Sequence, residues 1–208
     1  MTMEEKLIKS ETIKFLPYIG ENYFNSNQKI LVLGESHYGN QKMNSYPMWT
    51  RDVIEKEYLQ DLAKGIKNSW IKCFRTTAEI LTGKEYSCSD YIWKDIAFYN
   101  FFQETVGDSN PRDKKYITAE LIEKSRMALK DVLEILNPDV VVVWGWGKLM
   151  TTWLPIERIK LKETPYIFTI NEYPPVPFWC MMHPSSPRLN RKFLKKLWND
   201  VQVFLSWK

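Results

Sequence analysis

The amino-acid sequence predicts an α/β protein: a three-layer α/β/α sandwich with a central, mostly parallel four-stranded sheet. Short apolar segments are continuous rather than alternating, as strands covered on both faces require. Segments with helical periodicity lie between them, so that strand and helix alternate along the chain. The chain has 208 residues, of which 44% are hydrophobic, which is enough for one core. We therefore predict a single domain over 1–208.

Four segments have the composition of buried strands. Each is a run of aliphatic or aromatic residues that is followed by a polar or glycine-containing turn. The last of them has two possible positions, 166–170 or 178–183, which the apolar pattern alone does not separate. The first three are "KILVLG" (29–34), "DIAFYN" (95–100) and "DVVVVWG" (139–145).

The clearest helical pattern lies between 118 and 136. Its apolar residues recur on one face, Thr118 is a suitable N-cap, and the Asn137-Pro138 pair predicts the end of the helix. A similar amphipathic pattern over about 191–207 predicts a terminal helix.

Two further regions are predicted to be helical. Residues 51–82 are expected to form two helices that end at Gly83, since glycine often follows the last helical residue. They belong to a helical insertion, 41–90, after the first strand. Residues 1–28 are predicted to form an N-terminal helical extension.

Several classes of protein are disfavoured by composition. No apolar run approaches the ~20 residues that a membrane helix needs. The charged start, "MTMEEKLIKSETIK", does not resemble a secretory signal. We therefore expect a cytoplasmic monomer that has no contact with a membrane.

The three cysteines, Cys73, Cys88 and Cys180, do not form a C-x-x-C pair. This spacing signals neither a disulfide framework nor a tetrahedral metal site. A metal held by Cys73 and Cys88 would need further ligands from elsewhere, and buried, inert thiols are the favoured interpretation. No metal and no cofactor are predicted.

A basic segment, "RLNRKFLKK" (188–196), contains five cations and no acid, whereas the whole chain has a net charge of +4. Such a run suits a polyanion, although a solvated helix surface is the common alternative. Cations at a helix N-terminus oppose the helix dipole. Arg188, Arg191 and Lys192 are therefore unfavourably placed for stability alone, and phosphates would explain their position.

Polar side chains follow the predicted strands. Ligands of open parallel sheets bind at the carboxyl ends of the strands, so these residues form the candidate site. Both histidines of the chain lie in these loops. The first strand is followed by Glu35, Ser36, His37 and Tyr38, the second ends in Asn100, the third leads to "WGWGK" (144–148), and the last leads to "HPSSPR" (183–188).

Four of these motifs together resemble the uracil-DNA glycosylase superfamily, over about Ile30 to Trp198. "GESHY" (34–38) is similar to its first catalytic motif, and "FYN" (98–100) to the strand that ends in the asparagine reading the flipped base. "VVVVWG" (140–145) is similar to the third strand, and "HPSSPR" to the second catalytic motif, a loop that enters DNA. The His-Pro-Ser element is specific only in this combination.

The resemblance implies roles for individual residues. Cleavage of an N-glycosidic bond leaves negative charge on the departing base, which hydrogen-bond donors must stabilise. His183 would donate to that base, helped by backbone N–H groups of the first loop. Asn100 would read the base edge through its donor and acceptor, beside Gly34, and Tyr38 would wall the pocket.

DNA contacts are implied for the last two strand-end loops and the basic segment. Pro187 or Leu189 would be the wedge that replaces the extruded base. Trp146 is the tryptophan expected to stack on a base, because it stands between two glycines in a loop. The expected DNA-binding residues are Ser185, Ser186, Pro187, Arg188, Leu189, Arg191, Lys192, Trp146 and Lys148.

Two positions depart from the family pattern. Ser36 stands where the uracil-excising branch has the aspartate that handles the attacking water, and Glu35 is the nearest replacement, with Asp108 and Asp113 as more distant candidates. His37 stands where proline is usual; it would act as a second acid or base, contact a phosphate, or bond the backbone. An iron–sulfur branch needs an early cysteine pair that this chain lacks, so no cluster is expected.

Three functions are compatible with these motifs. The first is a DNA glycosylase that hydrolyses the bond to a uracil-like, damaged or modified base without a lyase step. The second is a catalytically inactive protein that binds DNA or a nucleotide on the same fold. A serine esterase is disfavoured, because the "GDS" at 107–109 follows the second strand and not the first.

Overall fold

The structure is a computed structural model, and it describes residues 1–65, 71–85, 90–107, 116–145, 152–154, 159–161 and 167–206. Within these ranges seven strands form one mixed sheet with the order β1-β3-β2-β4-β7-β6-β5. The strands are β1 (Tyr18–Ile19), β2 (Ile30–Gly34), β3 (Ala97–Asn100), β4 (Val140–Trp144), β5 (Ile159–Leu161), β6 (Ile167–Ile170) and β7 (Phe178–Met181).

Four neighbouring strands, β3, β2, β4 and β7, run parallel to one another. The mixed α/β class predicted from sequence is confirmed, but the predicted count of four strands is too small. Strands β1, β6 and β5 extend the sheet by antiparallel pairing. Strands β1 and β5 have only two and three residues, too few for a recognisable apolar run. Both candidate positions for the last strand are strands, β6 and β7.

Six α-helices occur in the described ranges. A π-helical segment, Val53–Tyr58, joins α2 to α3, and Gly83 follows α4 with a φ of 69°. No helix in these ranges is long and apolar enough to cross a membrane. The helices are α1 (Met3–Lys9), α2 (Trp49–Asp52), α3 (Leu59–Ala63), α4 (Ile71–Thr82), α5 (Ala119–Leu136) and α6 (Arg191–Ser206).

Helix α5 follows the sequence prediction closely. The hydroxyl of Thr118 accepts a hydrogen bond from the backbone N–H of Leu121 at 3.1 Å, as an N-cap should. The helix ends at Leu136 and is capped by Asn137, whose φ of 45° is left-handed and whose N–H donates to the carbonyl of Leu133. Pro138 follows and cannot continue the helix.

Successive residues of each central strand pack against opposite faces of the sheet. Leu31 and Leu33 belong to one apolar cluster, to which α1 and α5 contribute, whereas Ile30 and Val32 belong to a second, to which α4 and α6 contribute. The indole N–H of Trp198 donates to the carbonyl of Leu81 and ties α6 to α4. Burial on both faces explains why these strands are continuous apolar runs.

The N-terminal residues contain other elements besides a helix. The predicted extension 1–28 contains α1, a 3₁₀ turn at Tyr23–Asn25 and strand β1, which pairs with β3. The insertion 41–90 contains a 3₁₀ turn at Gln41–Ser45 besides α2, α3 and α4, and a second 3₁₀ turn, Asp90–Lys94, begins at its last residue.

Candidate functional site

A cleft of about 810 Å³ lies at the carboxyl ends of the parallel strands. Its position follows from the sheet, since β2, β3, β4 and β7 all point toward the same edge. Seven residues predicted from the sequence line it together: Glu35, Ser36, His37, Tyr38, Asn100, His183 and Ser185.

The floor of the cleft is formed where β2 and β3 end side by side, with Gly34 opposite Asn100. A Cβ on Gly34 would collide with the amide oxygen of Asn100 and lie 2.9 Å from the ring of Phe98. Backbone N–H groups of Phe101 and Phe102 donate to the carbonyls of Gly34 and Glu35, which holds the two loops together. Glycine is required here because the asparagine side chain occupies the space.

The substitution Gly34→Ala is expected to destabilise the fold by about 1–3 kcal/mol, since the amide must move from its site. Urea unfolding of the variant and the wild type measures this difference. Ser36→Ala in the same loop is the matched control. The Ser36 hydroxyl is buried without a hydrogen-bond partner in the described part of the chain, so its removal should change stability little. Equal stability of Gly34→Ala and the wild type would contradict the crowding.

His37 is buried beneath the cleft, with 6% of its surface exposed. Its ring stacks on Trp49 with the centroids 4.6 Å apart and meets the edge of Phe15 at 5.2 Å. Its Nε2 atom lies 2.8 Å from the Thr50 hydroxyl and 3.1 Å from the amide nitrogen of Asn100. Burial lowers the pKa of His37 to about 3, so the ring is neutral at physiological pH.

This geometry disfavours one of the roles predicted for His37, that of an acid or base. A neutral ring with so low a pKa is poorly suited to acid or base catalysis near neutrality. Its Nε2 atom faces the side chains of Thr50 and Asn100, while its backbone carbonyl accepts from the N–H of Val106 at 3.3 Å.

His183 lies in the loop after β7 and is half-buried. Its Nδ1 atom receives the backbone N–H of Ser185 at 3.2 Å and lies 2.7 Å from the hydroxyl of the same residue. Because a backbone N–H can only donate, Nδ1 accepts and the proton of the neutral ring is on Nε2. The ring also meets Trp144 edge-on at 6.1 Å. His183 is therefore built to donate a hydrogen bond through Nε2.

The remaining predicted residues differ in exposure. Glu35 is half-buried at the cleft, whereas Tyr38 is 43% exposed at its rim. Ser36 has its hydroxyl buried. Asp108, Asp113, Trp146, Lys148 and Cys88 lie outside the described residues.

Several cleft residues were missed by sequence reasoning. Trp49, Phe74 and Phe98 join Trp144, which the strand-end motif had indicated, in giving the cleft aromatic walls, and Cys73 lies beside Ser185. Burial raises the pKa of the Cys73 thiol, which keeps it protonated. Trp49 and Cys73 come from the helical insertion, and no local pattern indicates that this insertion borders the strand ends.

Some cations of the basic segment contact α4, and others form no ion pair with a described residue. Arg191 forms an ion pair with Glu79 of α4 at 3.3 Å, and Lys195 donates to the carbonyls of Gly83 and Lys84 at the end of α4. Arg191 thus has a stabilising partner, contrary to the expectation that it is misplaced for stability. Arg188 and Lys192 are exposed and form no ion pair with a described residue.

The two wedge candidates also differ. Leu189 is half-buried and packs against the second apolar cluster, whereas Pro187 is exposed. Ser186 accepts the backbone N–H of Arg188 on its hydroxyl and shapes the turn between them. Pro187 is therefore the better placed of the two to leave the protein surface.

The comparison with protein families and curated proteins gives no assignment. No protein-family model and no curated protein matches this sequence. Within the described ranges, no group of three or more His, Cys, Asp or Glu side chains could hold a metal. The fold and the site together define a mixed α/β protein with an aromatic cleft at the carboxyl edge of four parallel strands.

Proposed function

We propose that the protein is a monofunctional DNA glycosylase-like enzyme on a three-layer α/β/α sandwich, hydrolysing the bond between deoxyribose and a uracil-like, damaged or modified base. The observation that carries the proposal is the presence of a histidine donor and a buried amide in one aromatic cleft. Nε2 of His183 bears the ring proton, and Asn100 lines the same cleft with 5% of its surface exposed.

His183 would act on the leaving base. As the N-glycosidic bond breaks, the bonding electrons move to the base, and the Nε2–H donor stabilises this charge. The contacts of Ser185 to Nδ1 hold the ring in the required tautomer before the base arrives. The proposal thus needs no change of protonation state at this histidine before the bond breaks.

Asn100 and the aromatic residues would hold the base. An amide presents an N–H beside a carbonyl, which matches the edge of a pyrimidine or purine. Trp49, Phe74, Phe98 and Trp144 line the cleft, and a flipped base would contact these aromatic side chains.

Glu35 would handle the attacking water. It is the carboxylate in the loop after β2 that lines the cleft, and a carboxylate both orients water and stabilises a cation-like sugar. Ser36 cannot carry that negative charge.

A panel of oligonucleotides tests the proposed function. Duplex and single-stranded substrates carrying uracil, hypoxanthine, xanthine or modified cytosines are incubated with the protein and then treated with alkali to cleave abasic sites. Strand cleavage only after alkali is expected, because the proposed reaction has no lyase step. The absence of an abasic product from every substrate would refute the enzymatic function.

The proposed binding of DNA predicts an affinity that falls as salt is added, and substitutions can identify the basic residues responsible. The double variant R188Q/K192Q is expected to reduce the slope of log affinity against log salt by about 0.9 for each phosphate that the variant no longer neutralises. Fluorescence anisotropy over a salt series measures the slope. Lys195→Gln removes one positive charge, as each substitution of the double variant does, but from a lysine that contacts the end of α4. The Lys195→Gln variant should have the same slope as the wild type. Equal slopes for the wild type and all variants would mean that DNA does not contact Arg188 and Lys192.

The second candidate is a catalytically inactive DNA- or nucleotide-binding protein on the same fold. It is favoured by Ser36, whose buried hydroxyl has no hydrogen-bond partner in the described ranges, at the position of the family's aspartate. This function predicts salt-dependent binding without base release. Salt-dependent binding of DNA together with no abasic product in the oligonucleotide panel would favour this second function.

A further inference from the structure

Four buried polar side chains lie together beneath the cleft: His37, Thr50, Asn100 and Gln103. They carry no charge, since burial keeps the histidine neutral with a pKa of about 3. They are joined by hydrogen bonds, as buried polar groups must be to offset desolvation. Only Asn100 and His37 of the four line the cleft.

The direction of the hydrogen bond between Asn100 and His37 determines the tautomer of the histidine and the direction of its contact with Thr50. The amide nitrogen of Asn100 can only donate, so Nε2 of His37 accepts at 3.1 Å and the ring proton is on Nδ1. The Thr50 hydroxyl, 2.8 Å from the same nitrogen, is then a second donor to it. His37 thus presents an acceptor to Asn100 and would repel the oxygen end of the amide.

The amide oxygen and the backbone carbonyl of Asn100 are also held in place. Its amide oxygen occupies the space that a side chain at Gly34 would need. Its backbone carbonyl accepts from the side chain of Gln103 at 3.0 Å, and Gln103 in turn accepts the N–H groups of Lys14 and Phe15. Backbone and side chain of Asn100 are therefore both oriented, and reversal of the amide would place its oxygen against an acceptor.

We propose that His37 is a positioning residue that fixes the amide orientation of Asn100 and so decides whether the cleft accepts keto or amino bases. The inference rests on the proposed function, in which Asn100 reads the base. Uracil and hypoxanthine present a carbonyl beside an N–H, whereas cytosine and adenine present an amino group beside an unprotonated nitrogen. These two edges require opposite orientations of one amide.

The test compares His37→Leu, which removes the acceptor, with His37→Gln, whose side-chain oxygen can accept from Asn100. Single-turnover base release is measured on paired substrates: uracil with cytosine, and hypoxanthine with adenine. His37→Leu is expected to reduce the keto-to-amino rate ratio about tenfold, since an amide that matches the wrong edge cannot form both hydrogen bonds of the bidentate pair. His37→Gln should retain the ratio.

The ratio separates positioning from a merely structural role. A general loss of folding lowers both rates alike and leaves the ratio unchanged. Thr50→Val removes the second donor without removing the Nε2 acceptor, so the wild-type ratio is expected. A wild-type ratio in correctly folded His37→Leu, or a ratio that falls equally in His37→Gln, would overturn the inference.

Failure of the proposed function is distinguishable from failure of this inference. If the wild type releases no base, anisotropy on the same oligonucleotides measures the keto-to-amino ratio of affinities instead. A ratio that falls in His37→Leu and is retained in His37→Gln supports the positioning role in a binding protein. Equal wild-type affinity for both classes would overturn it. Long-range ¹H–¹⁵N spectra provide an independent check, because a protonated Nε2 of His37 would also overturn it.

Discussion

Replacing His183 by alanine is expected to slow base release about 100-fold or more, which is the usual effect of removing a donor that meets developing charge. The expectation follows from the tautomer. Because the backbone N–H of Ser185 donates to Nδ1, the ring proton is on Nε2, which makes this nitrogen the donor atom of the ring. Single-turnover kinetics on the best substrate of the panel measure the chemical step, and anisotropy reports whether DNA affinity is kept.

Ser185→Ala is the matched control for His183. It removes the hydroxyl 2.7 Å from Nδ1 but retains the backbone N–H that selects the tautomer. The loss in rate should therefore be about tenfold at most, the value of one ordinary hydrogen bond. A smaller effect of His183→Ala than of Ser185→Ala would exclude His183 as the donor to the leaving base.

The central part of the fold was predictable because its signals are local. The continuous apolar runs of β2 and β4 and the capped amphipathic helix α5 each occupy one stretch of sequence. Strands β1 and β5 were not predictable, since two or three residues carry no periodicity and form through pairing with an existing sheet.

The candidate site was predictable only as a set of strand ends. The rule that parallel strands end at one edge brings Glu35, Asn100 and His183 together from distant positions. The partner of each side chain was not predictable. His37 and Asn100 are 63 residues apart, and their contact depends on how the insertion folds over β2 and β3. The ion pair of Arg191 with Glu79 likewise exists only once α6 packs on α4.

The buried His37 should make the protein sensitive to mild acid. Its pKa falls from 6.5 in the unfolded chain to about 3 in the fold, so the unfolded state binds the proton more readily. The neutral ring's contribution to stability is fully present above pH 6.5 and is lost as the pH falls below that value. The free energy of unfolding should drop by about 1.4 kcal/mol for each pH unit in this range.

Urea unfolding between pH 6.5 and pH 4.5 measures this slope in the wild type and in His37→Gln. The window stops where carboxylates begin to contribute. Glu4, whose pKa is lowered from 4.5 chiefly by its hydrogen bond with Arg51, loses its contribution only as the pH falls below that value. The glutamine variant lacks the titrating ring and should lose the His37 part of the slope. Parallel curves for the two proteins would mean that His37 has the same pKa in the folded and the unfolded chain, so that the folded ring takes up a proton below about pH 6.5 and can accept from Asn100 only above that pH.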